Sequence, residues 1–304
     1  VIPTGKDGER APFVLAVASG KGGTGKTLVA TNVAVLAAAT GLRVVLADCD
    51  VEAPNDHLFL RGVTESTSPV EVPVAEVDPA ACSACGRCRD ACAYGAVRIL
   101  GASAIVFEEL CKGCGLCMDV CLEHAVQEVP RRVGEVVSGR IEARPGLSLL
   151  TGRLDVGQVK SPAVIRSVRK AAAAAGGDVI VLDAPPGVAC SAVAAVRDVD
   201  MLLLVTEPTA FGLHDLELSL RLGRDLGLPM AVVLNRVGTG HADVDGLCRS
   251  WDVPIVARIP FDRQVARVYA RGGLVADELP EVARVLSDLL DTVPRVARHE
   301  TMVR

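Results

Sequence analysis

The segment Gly20-Lys21-Gly22-Gly23-Thr24-Gly25-Lys26-Thr27 constrains this chain more than any other. It fits G-x-x-x-x-G-K-[ST] and stands between an apolar run, Pro12–Ala18, and an Ala/Val/Leu-rich run, Lys26–Ala39. Glycines at that density let backbone N–H groups close around an anion, and a helix starting at the loop adds the partial positive charge of its N-terminus. The pattern works only as strand, loop, helix, so the first forty residues are expected to open a layered α/β structure.

The rest of the chain continues that theme. Arg43–Ala47 reads as a second strand. Asp178–Leu182, Met201–Val205, Met230–Leu234 and Pro254–Ala257 are short aliphatic runs without polar alternation, as in strands covered on both faces of a parallel sheet. Ser161–Ala175, Leu213–Leu226 and Glu281–Leu290 carry helical patterns between or after them. The expected fold is α/β, a doubly wound and mostly parallel sheet. The alternation breaks at Arg61–Pro79, which holds Pro, Ser, Thr and alternating Val/Glu, and resumes after about Pro130. With 304 residues, room for about two domains, the reading is one discontinuous α/β domain, 1–61 and 132–304, around an insert at 62–131.

The insert holds eight of the eleven cysteines, and they repeat. Cys82, Cys85, Cys88 and Cys92 recur 29 residues later as Cys111, Cys114, Cys117 and Cys121, with Gly86 matched by Gly115 and Ala96-Val97 by Ala125-Val126. A fixed period predicts two similar halves packed on each other. C-x2-C-x2-C-x3-C suits zinc poorly, because zinc sites prefer separated cysteine pairs. Such clustering is also unlike a disulfide framework, and it points to a reducing compartment.

Composition excludes several functions. Aromatics are 3% of the chain, too few for base-stacking platforms, and the net charge of −5 makes no global case for binding DNA or anionic lipid. No nucleic-acid partner is expected. The longest apolar-leaning run, Leu28–Thr40, is too short to span a bilayer, and Val1–Arg10 has no apolar leader core. The tail Val293–Arg304, with Pro294, three arginines and little apolar face, is expected to be a solvated end, so no stable membrane insertion is expected. His57, His124, His214, His241 and His299 form no ligand spacing.

Two resemblances then stand on these residues. Lys21 is one of only six lysines, two of which lie in the loop, and a second lysine there resembles the deviant P-loop of the MinD/ParA and nitrogenase iron-protein class. That resemblance covers the chain outside the insert. It implies a cytoplasmic, Mg²⁺-dependent ATPase that closes into a homodimer, with Lys21 reaching the nucleotide of the partner subunit. By the same likeness, Gly20, Gly22, Gly23, Thr24 and Gly25 cradle phosphate, Lys26 neutralises it, and Thr27 ligates Mg²⁺. Asp183, closing a hydrophobic strand, resembles a Walker B acid that holds Mg²⁺ through water. Gly187, in Ala184-Pro185-Pro186-Gly187, resembles a γ-phosphate sensor. Asp50 is expected to position the attacking water with Asp48 as companion, either being alternatively a strand-end cap. Glu207, Asn235, Arg236 and Pro260 are expected near adenine and ribose, with Glu207-Pro208 and Ile259–Asp262 as walls.

The cysteine runs resemble the bacterial two-cluster ferredoxin pattern, in which three thiolates wrap one cubane and the fourth serves the other. That implies two [4Fe–4S] clusters, one on Cys82, Cys85, Cys88 and Cys121, the other on Cys111, Cys114, Cys117 and Cys92. Ala93 and Leu122 stand where that family usually has proline. Cys190 follows Asp183 by seven residues, the offset of a cluster ligand in the nitrogenase iron protein, and reads either as a subunit-interface thiol or as an inert one. Cys49 and Cys248 read as core thiols. The implied function is an ATP switch coupled to electron transfer with a redox partner. Alternatives are a cofactor-assembly ATPase related to Mrp-type carriers, with a cofactor-assembly partner, and a positioning ATPase on membrane or DNA.

Overall fold

The structure, a computed structural model, describes residues 11–61 and 63–298. The reading of Val1–Arg10, His299 and the end of the tail lie outside the described residues. The first half contains β1 (Phe13–Ala18), α1 (Lys26–Ala39), β2 (Val44–Asp48), β3 (Val63–Val77), α2 (Arg87–Ala91), β4 (Val97–Leu100), β5 (Ser103–Val106), α3 (Leu116–Asp119), β6 (Val126–Ile141) and β7 (Leu147–Leu154). The second contains α4 (Ser161–Ala175), β8 (Val179–Asp183), α5 (Cys190–Val196), β9 (Met201–Thr206), α6 (Ala210–Asp225), β10 (Met230–Val237), α7 (Val244–Trp251), β11 (Ile255–Pro260), α8 (Arg263–Ala270), α9 (Val275–Glu278) and α10 (Pro280–Ala297).

The chain divides into two compact units. One takes the chain up to Thr67, Val136–Arg153 and everything from Ile165. The other takes Ser68–Glu135 and Leu154–Val164. These bounds differ from those read from the sequence, because Leu154–Val164 joins the cysteine unit. Asp155 N–H donates to the Val133 carbonyl at 3.0 Å, and Arg132 Nε pairs with Asp155 at 3.0 Å.

The main sheet has nine strands in the order β11-β10-β9-β1-β8-β2-β7-β6-β3. The first unit is built on β11 to β7, and most of β3 and the first ten residues of β6 are counted with the second. The strands from β11 to β7 pair in parallel. β2, β8 and β9 are buried at every residue, as their unbroken aliphatic runs require of strands covered on both faces. α1 is rich in Ala, Val and Thr and is buried on nearly every side, so small side chains let it lie close on the sheet. Leu46, Leu203, Ile259 and Leu286 anchor the core. Arg61–Pro79 is not a break in secondary structure: most of it is the single strand β3. Pro69 and Pro73 lie on β3, the sheet-edge strand, which is where sheets tolerate proline. The tail expectation is also corrected in part. Val293 and Pro294 are buried in α10, held in the core by helical apolar spacing.

The second unit contains α2, α3 and the antiparallel β4–β5 ladder. α2 and α3 each begin after a glycine in the left-handed region, Gly86 at φ 82° and Gly115 at φ 75°, a conformation that glycine adopts without steric cost. Among the described helices none is long and apolar enough to cross a membrane.

Candidate functional site

Parallel strands all end on one side of a sheet, and ligands of such folds sit outside those carboxyl ends where strand order reverses. Here the order reverses at β1, flanked by β8 and β9. The loop after β1 lines a cleft of about 980 Å³ of empty space, counted out to its mouth. Gly22, Gly23, Gly25, Lys26 and Thr27 form its floor, and Asp50, Asn235, Arg236 and Pro260 contribute from other strand ends. Phe261, Val265 and Tyr269 add an apolar wall. Tyr269 was not anticipated; its signal is the i, i+4 spacing from Val265 on α8.

Lys26 Nζ donates to Asp183 Oδ1 at 2.8 Å and lies 3.9 Å from Asp50. Burial works against its charge, but Asp183, then Asp50 and Asp56, outweigh it and raise its pKa. Thr27 Oγ1 donates to Asp183 Oδ2 at 2.7 Å. The residues expected to meet phosphate and Mg²⁺ therefore converge on one buried carboxylate. Thr24 Oγ1 is buried with no partner among the described residues, an acceptor and donor left available inside the loop. Loop amides, a buried lysine and a hydroxyl–carboxylate pair form a donor set that fits Mg-nucleotide.

Other expected residues take different places. Asp48 does not line the cleft. It is fully buried and accepts N–H bonds from Asp50 at 3.1 Å, Asn55 at 2.8 Å and Asp56 at 3.1 Å, so it holds the turn that presents Asp50. Burial, then the charge of Asp183, pushes its pKa up to about 7. Asp50 is also raised, by burial against the opposing pull of Lys26. Asp56, not singled out from the sequence, is fully buried and brings a carboxylate oxygen within 4.8 Å of those of Asp48 and Asp183. Burial and then Asp48 raise its pKa well above the ordinary value. The N–H of Gly187 donates to the Ser19 carbonyl at 2.8 Å. Gly20 meets the backbone of Asp215, where a Cβ would lie 2.3 Å from the carbonyl oxygen.

Glu207 is not a wall of the cleft. It is 7% exposed and takes Lys21 Nζ at 2.5 Å and Arg236 Nη1 at 3.0 Å. Burial opposes its ionisation, but Lys21, then Arg236, hold its carboxyl below the usual range. Asn235 Nδ2 donates to the Thr24 carbonyl at 2.7 Å, tying the end of β10 to the loop. Cys49 and Cys248 are buried, with burial raising both thiols, Cys248 to about 11. Cys190 is exposed at the start of α5.

In the second unit all eight cysteines are free. Cys82, Cys85, Cys88 and Cys121 line one small cavity. Cys92, Cys111, Cys114 and Cys117 line another. Each cavity thus takes three cysteines of one run and the fourth of the other. Ala84 and Ala104 N–H groups donate to Cys82 Sγ at 3.4 Å, and those of Ala96 and Ala125 donate to Cys92 and Cys121 at 3.3 Å. The bonds from Ala104 and then Ala84 lower the Cys82 pKa; at Cys92, burial opposes but backbone donors led by Ala96 prevail. Burial raises Cys88 and Cys117.

The profile of the CobQ/CobB/MinD/ParA nucleotide binding domain matches residues 15–275. The uncharacterized protein MJ0578 of Methanocaldococcus jannaschii is 30% identical over 279 residues, 91% of this chain and 95% of that protein. The septum site-determining protein MinD of Pyrococcus horikoshii, solved with Mg-ADP, has a TM-score of 0.58 at 20% identity, covering 96% of this chain and 100% of that one. An iron-sulfur cluster carrier protein of Synechocystis is 55% identical over 47 residues, 16% of this chain and 13% of the carrier.

Proposed function

Because the chain belongs to the CobQ/CobB/MinD/ParA family of P-loop nucleotide-binding domains, we propose that it is an ATP-hydrolysing dimeric switch coupled to electron transfer through two [4Fe–4S] clusters, to or from a partner protein. The observation that carries the redox half is the division of eight cysteines into two quartets about two cavities, with Cys92 and Cys121 exchanged between the runs. The donor set supports clusters over single ions. Tetrahedral zinc holds thiolates about 3.8 Å apart, from Zn–S bonds of about 2.3 Å. Among the described residues the ligand group with single-ion spacing is Asp48, Asp56 and Asp183, and no cysteine trio shares it.

Bound there, the clusters would supply one-electron storage and relay. Cys82, Cys85, Cys88 and Cys121 would hold one, and Cys92, Cys111, Cys114 and Cys117 the other. N–H groups aimed at sulfur favour the thiolate and the added charge of reduction. In the nucleotide unit the loop amides and Lys26 bind the β- and γ-phosphates, and Thr27 and Asp183 hold Mg²⁺. Asp50 orients the attacking water, and Lys21 serves the partner subunit's nucleotide. Asn235, Arg236 and Pro260 face the nucleoside side. For Gly187 to meet the γ-phosphate, its N–H must leave the Ser19 carbonyl.

The test is an anaerobic EPR redox titration with and without Mg-ATP, on protein with iron and sulfide quantified. Two cubane signals whose potentials or line shapes move with nucleotide are expected. Two clusters indifferent to nucleotide would reject the coupling. The local likeness to an iron-sulfur carrier favours one second reading, cofactor assembly. Transfer of iron and sulfide to an apo-acceptor would support it over electron transfer.

A further inference from the structure

Lys21 has a place in the isolated subunit that its expected role does not use. Its Nζ lies 2.5 Å from Glu207 Oε1, and Arg236 Nη1 lies 3.0 Å from the other oxygen. Thr209 Oγ1 adds a contact at 3.3 Å to the same oxygen as Lys21. The Glu207 side chain is 10% exposed, against 32% for Lys21 and 47% for Arg236. A carboxylate buried to that degree is destabilising when left without a cation. Two cations on one carboxylate mean that either can leave without stranding it.

The two are not equally free to leave. Arg236 stands at φ 54°, in the left-handed region, and its N–H donates to Asn235 Oδ1 at 2.9 Å. Asn235 is itself bound to the Thr24 carbonyl. Arg236 is therefore fixed at its backbone to the wall of the nucleotide cleft. Lys21 follows Gly20, wedged against Asp215, and precedes Gly22 and Gly23, beside which an added Cβ would meet no atom within 4 Å. The loop thus has a fixed point on one side of Lys21 and open space on the other.

We propose that Glu207 is a latch for Lys21. In the resting subunit it holds the loop lysine in cis, and Arg236 remains as its counter-ion when Lys21 moves to the partner subunit's nucleotide. The proposal rests on the dimer reading above and assigns Glu207 and Arg236 to its control. Dimer closure then includes breaking one partly exposed ion pair, which sets a threshold of nucleotide below which the subunits stay apart.

The experiment is sedimentation velocity of the full chain across concentrations of a non-hydrolysable ATP analogue with Mg²⁺. Glu207→Gln is expected to lower the analogue concentration for half-maximal dimer roughly fivefold, the scale of a partly exposed ion pair. In nucleotide-free protein Glu207→Gln should also raise the acylation rate of Lys21 toward that of exposed Lys170, which a structural role for Glu207 apart from Lys21 would not predict. A wild-type dimer with no gain, or a loss, in Glu207→Gln overturns the latch and leaves the dimer reading standing. No dimer in either protein overturns both. Should Glu207→Gln not fold, acylation of wild type is read by mass spectrometry. Nucleotide-free Lys21 is expected to react at least about fivefold more slowly than exposed Lys170, on the same ion-pair scale. Equal rates overturn the latch.

Discussion

In the sheet unit, Leu46, Leu147, Ile165, Leu202, Leu203 and Leu286 are buried almost completely. Apolar clusters of the cysteine unit among the described residues include Val74, Ala75, Ala96, Cys111 and Val126, and Cys88, Val97 and Ala104. Its larger apolar side chains, among them Tyr94, Leu100, Leu110, Leu116 and Leu122, are exposed instead. Each fully buried leucine contributes roughly 1.5–3 kcal/mol, so the first unit is stabilised by its own packing. The second has valine, alanine and thiols in their place, and a unit this small with so little core depends on staples. On the cluster reading proposed above, the thiolates would have a double duty, chemistry and cohesion.

The largest expected effect separates the two units by chemistry. Lys26→Ala should lower ATP hydrolysis by roughly two to three orders of magnitude, the scale of losing a preorganised charge at the reacting phosphate, with iron and sulfide content unchanged. Iron lost along with hydrolysis would break the separation. Next, removing iron by anaerobic chelation should abolish hydrogen-exchange protection across α2, β4, β5 and α3 while the nine-stranded sheet and nucleotide binding persist. Protection retained there after iron removal would mean the small core suffices. Third, Cys92→Ser should remove the EPR signal of the cluster assigned to Cys111, Cys114 and Cys117, and Cys121→Ser the other. Loss of the same signal in both variants would refute the exchange of fourth ligands. The smallest effect sharpens the packing half: Leu203→Ala should cost about 3 kcal/mol, equally in iron-loaded and iron-free protein, by chemical denaturation of the sheet unit. A cost that depends on iron would show that the two units share stability.

Much of the sheet unit was legible because its signals are local. Lys26–Ala39 and Ser161–Ala175 are helices with the expected ends, and the aliphatic runs at Met201 and Met230 are strands. The long strands β3 and β6 were not legible, since Pro69, Pro73 and Pro130 read as breakers until the edge position of β3 and the length of both strands are known. In the site, Lys26, Thr27 and Asp183 meet as the family resemblance implied. Asp56 was missed because an acid eight residues after Asp48 has no periodicity or motif to mark it. Glu207 was expected as a cleft wall from the family resemblance at Glu207-Pro208; it pairs instead with Lys21 and Arg236, which lie far away in sequence.

The sequence by itself determined where backbone must turn and which atoms can bind what. The loop at 20–27 needs glycine, the runs at 82–92 and 111–121 bring thiols into groups, and aliphatic stretches must lie between two covered faces. These follow from steric and hydrophobic preferences read over a few neighbouring residues. Only the tertiary structure decided that Asp48 caps a turn, that Asp56 joins it beside Asp183, and that Lys21 is held by Glu207 from 186 positions away. Those choices are Coulombic and depend on distance in space. The sheet order sets that distance by placing the ends of β1, β8 and β9 side by side.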